Sequence, residues 1–267
     1  MIPSMLSQPP QLGASPLLVA HRGASFDAPE NTVASVKLAW VQWADAAEVD
    51  IHLTRDGQIV VIHDKSTKRT AGIDLQVAAQ DWSTLQSLEV GAWKSDAFKG
   101  EPLPLLKDVL AQVPAEKRLF IEIKCPSEVL PYLEKVVLAS GLHPRQTVFI
   151  AFDWETIAKT KRLFPDRDCF WLSGFKQDES SGRWQPQPEE VIQKALEAKV
   201  DGIDVYYGGP VDRAFVEAAH EKGLEVHTYT VNDPADARRL MEAGVDGITT
   251  DRPGFLREQL GLDDSGK

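Results

Sequence analysis

The 267-residue chain has only two cysteines, Cys125 and Cys169, and no CxxC pair. A disulfide framework is therefore not expected, and a reducing, cytoplasmic setting is favoured. Positive charge is also scarce: 29 Lys and Arg stand against 40 Asp and Glu, for a net charge of -11. That balance argues against nucleic acid as a partner and against stable association with anionic membranes. It leaves room for a local basic pocket and an anionic small molecule. No apolar run approaches the roughly 20 residues that a membrane helix needs. The opening "MIPSMLSQPPQLGASP" lacks a basic region followed by an apolar one, so it is not read as a secretory signal. No glycine-rich phosphate fingerprint follows the first apolar run, which weakens the case for an open doubly wound sheet.

What is present is a regular alternation. Hydrophobic residues at 43% and charged residues at 26% suit a packed soluble core. Eight β-rich runs are separated by helix-like segments: 17–21, 46–53, 118–124, 147–152, 168–173, 201–206, 224–231 and 246–251. Eight β/α units in about 250 residues predict a (β/α)₈ TIM barrel. Residues 1–15 are read as a flexible arm, 16–260 as one barrel domain and 261–267 as a tail. The first helix is expected over "NTVASVKLAWVQW", with Val33, Val36, Trp40 and Trp43 at helical spacing and Asn31 or Thr32 as its cap. After "IVVIHD" (59–64) about forty residues pass before the next helix pattern, and 65–102 is read as an insertion over one end of the barrel. A second irregular stretch, 174–189, is read as a rim loop.

In such a barrel the chemistry sits at the C-terminal ends of the strands. His21 and Arg22 end the first strand there. Glu48 and Asp50 share one face of the second, because side chains alternate with period two. His63 and Asp64 end a short further strand. Phe120, Glu122 and Lys124 share a face of the third barrel strand, with Leu119, Ile121 and Ile123 opposite. Three carboxylates at one mouth would repel strongly, and a hard divalent cation removes the conflict. An all-oxygen set favours Mg²⁺ or Ca²⁺ over Zn²⁺. Such a cation, with Arg22 and Lys124, would attract a phosphate, and two histidines could move protons in and out.

Read together, "HRG…PENT", "ExD" at 48–50, "DGQIVVIHD", "EIK" at 122–124, "TVND" at 230–233 and "GVDGITTDRP" resemble the glycerophosphodiester phosphodiesterases. The likeness runs in order from about residue 17 to 256. It implies a barrel of the phosphatidylinositol-specific phospholipase C type, with an insertion after the second histidine. Carried over residue by residue, it makes His21 and His63 the catalytic pair and Glu48, Asp50 and Glu122 the metal ligands. Arg22 and Lys124 become phosphate contacts, and Asn31 a residue behind the ligands. Two positions depart from the pattern: Trp43 stands where glycine is usual, and Tyr229 where tryptophan is usual. Tyr229 is kept as an aromatic wall for the substrate.

The resemblance implies metal-dependent hydrolysis of glycerophosphodiesters, such as glycerophosphocholine and glycerophosphoethanolamine, to sn-glycerol 3-phosphate and an alcohol. That would place the enzyme in glycerol and lipid metabolism, as a monomer or homodimer. Two rival readings are a lysophospholipase D-like hydrolase of longer lipids and a catalytically silent barrel that binds a phosphorylated ligand. The first would want an exposed apolar groove, and the second the loss of a histidine or an acid, which this chain retains. His52 and His227 are read as structural, His143 and His220 as surface positions, and Trp82, Trp93 and Phe98 as packing beneath the insertion.

Overall fold

The structure is a computed structural model that describes residues 15–262. Most of the expected arm, and residues 263–267 of the expected tail, lie outside the described residues. Eight parallel strands close into a barrel: β1 (Leu17–Ala20), β2 (Ala46–Leu53), β4 (Arg118–Ile123), β5 (Thr147–Ala151), β6 (Asp168–Ser173), β9 (Gly202–Tyr206), β10 (Glu225–Tyr229) and β11 (Gly247–Thr250). β1 pairs with both β11 and β2, which closes the ring. These are the eight runs expected from the sequence. β3 (Ile59–Val61) adds an antiparallel partner to the end of β2. β7 (Lys176–Gln177) and β8 (Trp184–Gln185) form a separate ribbon within the irregular stretch 174–189.

Alternation along each strand divides the core. Leu119, Ile121 and Ile123 of β4 point outward into the large cluster beneath the helices. Phe120 points inward and joins Val19, Ala46, Val148, Ile150, Phe170 and Leu172 in a dry plug filling the lower barrel. Burying a phenylalanine of this kind contributes about 2–3 kcal/mol. β2 and β4 then turn polar one or two inward positions higher. In β2 the inward series runs Ala46, Glu48, Asp50, and Glu48 registers with Phe120 while Asp50 registers with Glu122. The apolar plug thus forms the floor of a polar chamber.

Residues 65–102 are not an unstructured loop. They hold α2 (Lys68–Ala71), α3 (Trp82–Leu85) and two 3₁₀ turns, and their Val77, Leu85, Leu88 and Val90 share a small separate core with the flanking Val60, Ile62, Leu103 and Leu105. Trp82 packs against that core. Trp93, at 42% exposed, does not pack beneath it. His220 is also not a surface residue: its side chain is mostly covered and its Nε2 lies 2.7 Å from Asp246 Oδ2.

The first helix, α1 (Val33–Val41), is shorter than its apolar spacing suggested. Thr32 caps it, accepting from the Ser35 backbone N–H at 3.1 Å. Trp43 lies past the end, 61% exposed and at φ 61°. An L-residue with a side chain is strained in that left-handed region, which explains why glycine suits the position. Trp43→Gly should therefore stabilise the fold by about 0.5–1 kcal/mol, raising Tm by about 1–3 °C. A lower Tm than wild type would contradict this account of the turn.

Candidate active site

The turn after β1 builds the first wall of the chamber. His21 N–H donates to Thr250 O at 2.8 Å, and the chain then reverses through Arg22 (φ 54°) and Gly23 (φ 78°). A Cβ at Gly23 would collide with the Ser35 side chain, so glycine is required there. The reversal points the Arg22 backbone N–H at Glu48 Oε2, 2.8 Å away. Glu48 is thereby fixed by one oxygen, and its Oε1 is buried without a hydrogen-bond partner.

Asn31 holds the second acid. It too is left-handed, at φ 59°. Its Nδ2 donates to Asp50 Oδ2 at 2.7 Å and its Oδ1 accepts from the Asp50 N–H at 3.0 Å. The "PENT" segment therefore supplies a clamp at Asn31 and a cap at Thr32. Glu48, Asp50 and Glu122 are all buried and each offers an oxygen within 4.8 Å of the others. Arg22 Nε lies 3.3 Å from Asp50 Oδ2, and Lys124 Nζ lies 2.6 Å from Glu122 Oε1 and 3.3 Å from Asp50 Oδ1. Glu122 Oε1 and Asp50 Oδ1 are close to Lys124 in distance but lack an aligned hydrogen bond.

Charge counting shows what the cluster needs. Two ionised carboxylates this close repel by about 3–4 kcal/mol at an effective dielectric of about 20. Three carboxylates against Arg22 and Lys124 leave one uncompensated negative charge. The titration behaviour carries the same mark. Burial, then repulsion from Asp50 and Glu122, drives Glu48 well above the usual carboxylate range. Burial, then Asp50, lifts Glu122 to about 7. Burial also acts against Asp50, but Lys124 and Arg22 outweigh it and keep that carboxyl ionised. Buried oxygens without aligned donors, converging from three sides, form a set that could hold a hard cation.

Both histidines stand at the rim with an aspartate behind them. His21 Nδ1 lies 2.7 Å from Asp251 Oδ1, and His63 Nδ1 lies 2.7 Å from Asp64 Oδ1. Asp251 is held at about 2: burial opposes ionisation, but His21, Asn232 and Ser25 together prevail. Asp64 is also held at about 2, chiefly by Arg69. An ionised carboxylate only accepts, so Nδ1 carries the proton on each ring and Nε2 is the unprotonated nitrogen of the neutral imidazole. Asp251, Asp64 and Arg69 had no role in the sequence reading. Asp251 lies in "TTDRP" and Asp64 follows His63, but neither pairing is visible without the fold.

The remaining candidates separate clearly. His52 is buried, with Nε2 3.0 Å from His63 O, and supports the loop carrying that histidine. His227 is fully buried between Phe120 and Phe170, at 5.4 and 4.7 Å, over the space that Gly247 leaves. Tyr229 stands at the mouth with its hydroxyl donating to Ser173 O at 3.3 Å and its ring edge-on to Phe152 at 5.8 Å. Asp204, unforeseen, lies buried beside His227, and burial pushes it up to about 7.

Residues 21–255 match the sequence profile of the glycerophosphoryl diester phosphodiesterase family. The chain belongs to that family. It is accordingly an enzyme of the phosphoric diester hydrolase class. A glycerophosphodiester phosphodiesterase of Bacillus subtilis is 31% identical over 91% of this chain and 85% of its own length. One from Caldanaerobacter subterraneus is 29% identical over 90% of this chain and 96% of its own. Among solved structures, an Oleispira antarctica phosphodiesterase in complex with the product sn-glycerol-3-phosphate superposes with a TM-score of 0.81. It covers 92% of this chain and 97% of its own at 24% identity, a likeness that establishes the fold.

Glu122 predicts a pH effect in cation-free protein. Its folded pKa, about 7, lies above the ordinary value of 4.5, so the folded state keeps the proton longer. With EDTA present, the Glu122 contribution to stability should fall as pH rises from about 4.5 to about 7 and then level off. The difference in Tm between wild type and Glu122→Gln, followed across pH, reads this directly. A difference that does not change with pH would contradict it.

Proposed function

We propose that this enzyme hydrolyses small, water-soluble glycerophosphodiesters such as glycerophosphocholine and glycerophosphoethanolamine, releasing sn-glycerol 3-phosphate and an alcohol. The observation that carries the reading is the placement of two histidine–aspartate pairs around a buried triad of acids. Glu48, Asp50 and Glu122 would hold one divalent cation, Mg²⁺ or Ca²⁺. Bound there, the ion would supply positive charge to the phosphoryl oxygens as a Lewis acid.

The chain's own residues do the rest. Arg22 and Lys124 face the same chamber and draw the phosphodiester anion towards the acids. Asn31 keeps Asp50 in place from behind. Tyr229, with Phe152, forms an aromatic wall against the organic part of the substrate. One histidine accepts a proton at Nε2 from the attacking hydroxyl, of water or of the substrate's own glycerol. The other, protonated at Nε2, donates to the departing alkoxide. Asp251 and Asp64 keep each ring in the tautomer that this exchange requires. A cytoplasmic enzyme, monomeric or dimeric, fits two unpaired cysteines and the absence, among the described residues, of any helix long and apolar enough to cross a membrane.

Purified protein should release glycerol 3-phosphate from glycerophosphocholine, lose that activity in EDTA and regain it with Mg²⁺ or Ca²⁺. His21→Ala and His63→Ala should each lower kcat by roughly 10²–10⁴-fold with an unchanged fold. Near-normal turnover in either variant would remove that histidine from the mechanism. No release with either ion would overturn the substrate assignment.

A further inference from the structure

One charged group outside the chamber touches both halves of the site. Arg69 sits in α2, within the 65–102 segment, and its side chain is 41% exposed. Its Nε donates to Asp64 Oδ2 at 2.8 Å and its Nη2 to Asp64 Oδ1 at 3.2 Å. On the other edge, Nη1 donates to Glu30 Oε2 at 2.7 Å and Nη2 to Glu30 Oε1 at 2.9 Å. Asp64 is the partner of His63 Nδ1. Glu30 accepts from Arg22 Nη1 at 2.9 Å. The contacts form one chain, Arg22–Glu30–Arg69–Asp64–His63, that joins the proposed phosphate clamp to the proposed proton carrier.

We propose that Arg69 is a positioning residue, through which the 65–102 segment sets His63 and Arg22 together. This rests on the functional reading above for the roles of His63 and Arg22. The geometry needs arginine. A planar guanidinium has five donors in a fixed fork and can grip two carboxylates at once, whereas a lysine offers one mobile point charge. Without that fork, Glu30 and Asp64 become two neighbouring anions with no shared cation. Their repulsion draws Asp64 from the His63 ring and Glu30 from Arg22. Asp50 and His52 face His63 from the barrel side, with Lys124 beside His52, and none of them can replace the lost hydrogen bonds. His21 is independent of this chain, because its Asp251 is held by Ser25 and Asn232.

That independence supplies an internal control. In ¹⁵N-labelled protein, the hydrogen-bonded Nδ1 protons of His21 and His63 are followed by NMR in wild type, Arg69→Gln and Arg69→Lys. Arg69→Gln should lose or broaden the His63 signal and keep the His21 signal, and Arg69→Lys should fall between. Turnover should show kcat lowered roughly 10–100-fold with KM within about threefold. Loss of both signals would mean a general failure of the fold and would overturn a specific role. An unchanged His63 signal, or an unchanged kcat, would overturn it as well. If wild type hydrolyses no diester but the His63 signal still depends on Arg69, the functional reading fails and the positioning role stands.

Discussion

Three carboxylates are buried at the top of the barrel with two cations to oppose them. Everything around the site can be understood as a means of tolerating that arrangement. Left to itself, such a cluster takes up protons, as Glu48 and Glu122 do by standing above their ordinary range. Arg22 and Lys124 hold Asp50 ionised against burial. The left-handed residues Arg22 and Asn31 are where backbone strain is accepted so that a backbone N–H and an amide can face two of the acids. On the proposed function, a hard cation would offset the remaining negative charge and, through it, a phosphodiester would be drawn in.

The fold makes the cluster affordable by layering. The lower barrel is filled with Phe120, Phe170, Val148 and their neighbours, which exclude water from beneath the acids. The upper layer is polar because β2 and β4 change character over two residues, from Ala46 to Glu48 and from Phe120 to Glu122. The histidines stand one step further out, partly exposed, where proton exchange with substrate and solvent is possible. Exposure thus rises from the buried acids to the histidines at the rim.

Much of this was legible in the sequence because it depends on periodicity. Eight apolar runs with period-two alternation fixed both the strands and the inward faces of Glu48, Asp50 and Glu122. What stayed hidden depends on tertiary pairing or on local backbone. Trp43 continues the apolar spacing of α1, so spacing alone could not reveal that the helix stops short of it and that Trp43 itself is left-handed. Asp251 lies 230 residues from His21, and only barrel closure brings them together. Arg69 sits in a segment without periodicity, 39 residues from the Glu30 it grips. That the segment packs as an insertion, with Trp82 beneath it, was expected, but the aliphatic residues of its small core, bordered by Val60 and Leu105, carry no periodicity that would mark them.

The central claim is that the three acids form one cation site facing the phosphate clamp. Crystals grown with Mn²⁺ and glycerol 3-phosphate, measured at the manganese absorption edge, test it most directly. The account predicts a single anomalous peak about 2.0–2.6 Å from an oxygen of each of Glu48, Asp50 and Glu122, with the phosphate beside Arg22 and Lys124. An ordered phosphate with no anomalous peak among the acids, or a peak bound elsewhere, would contradict it.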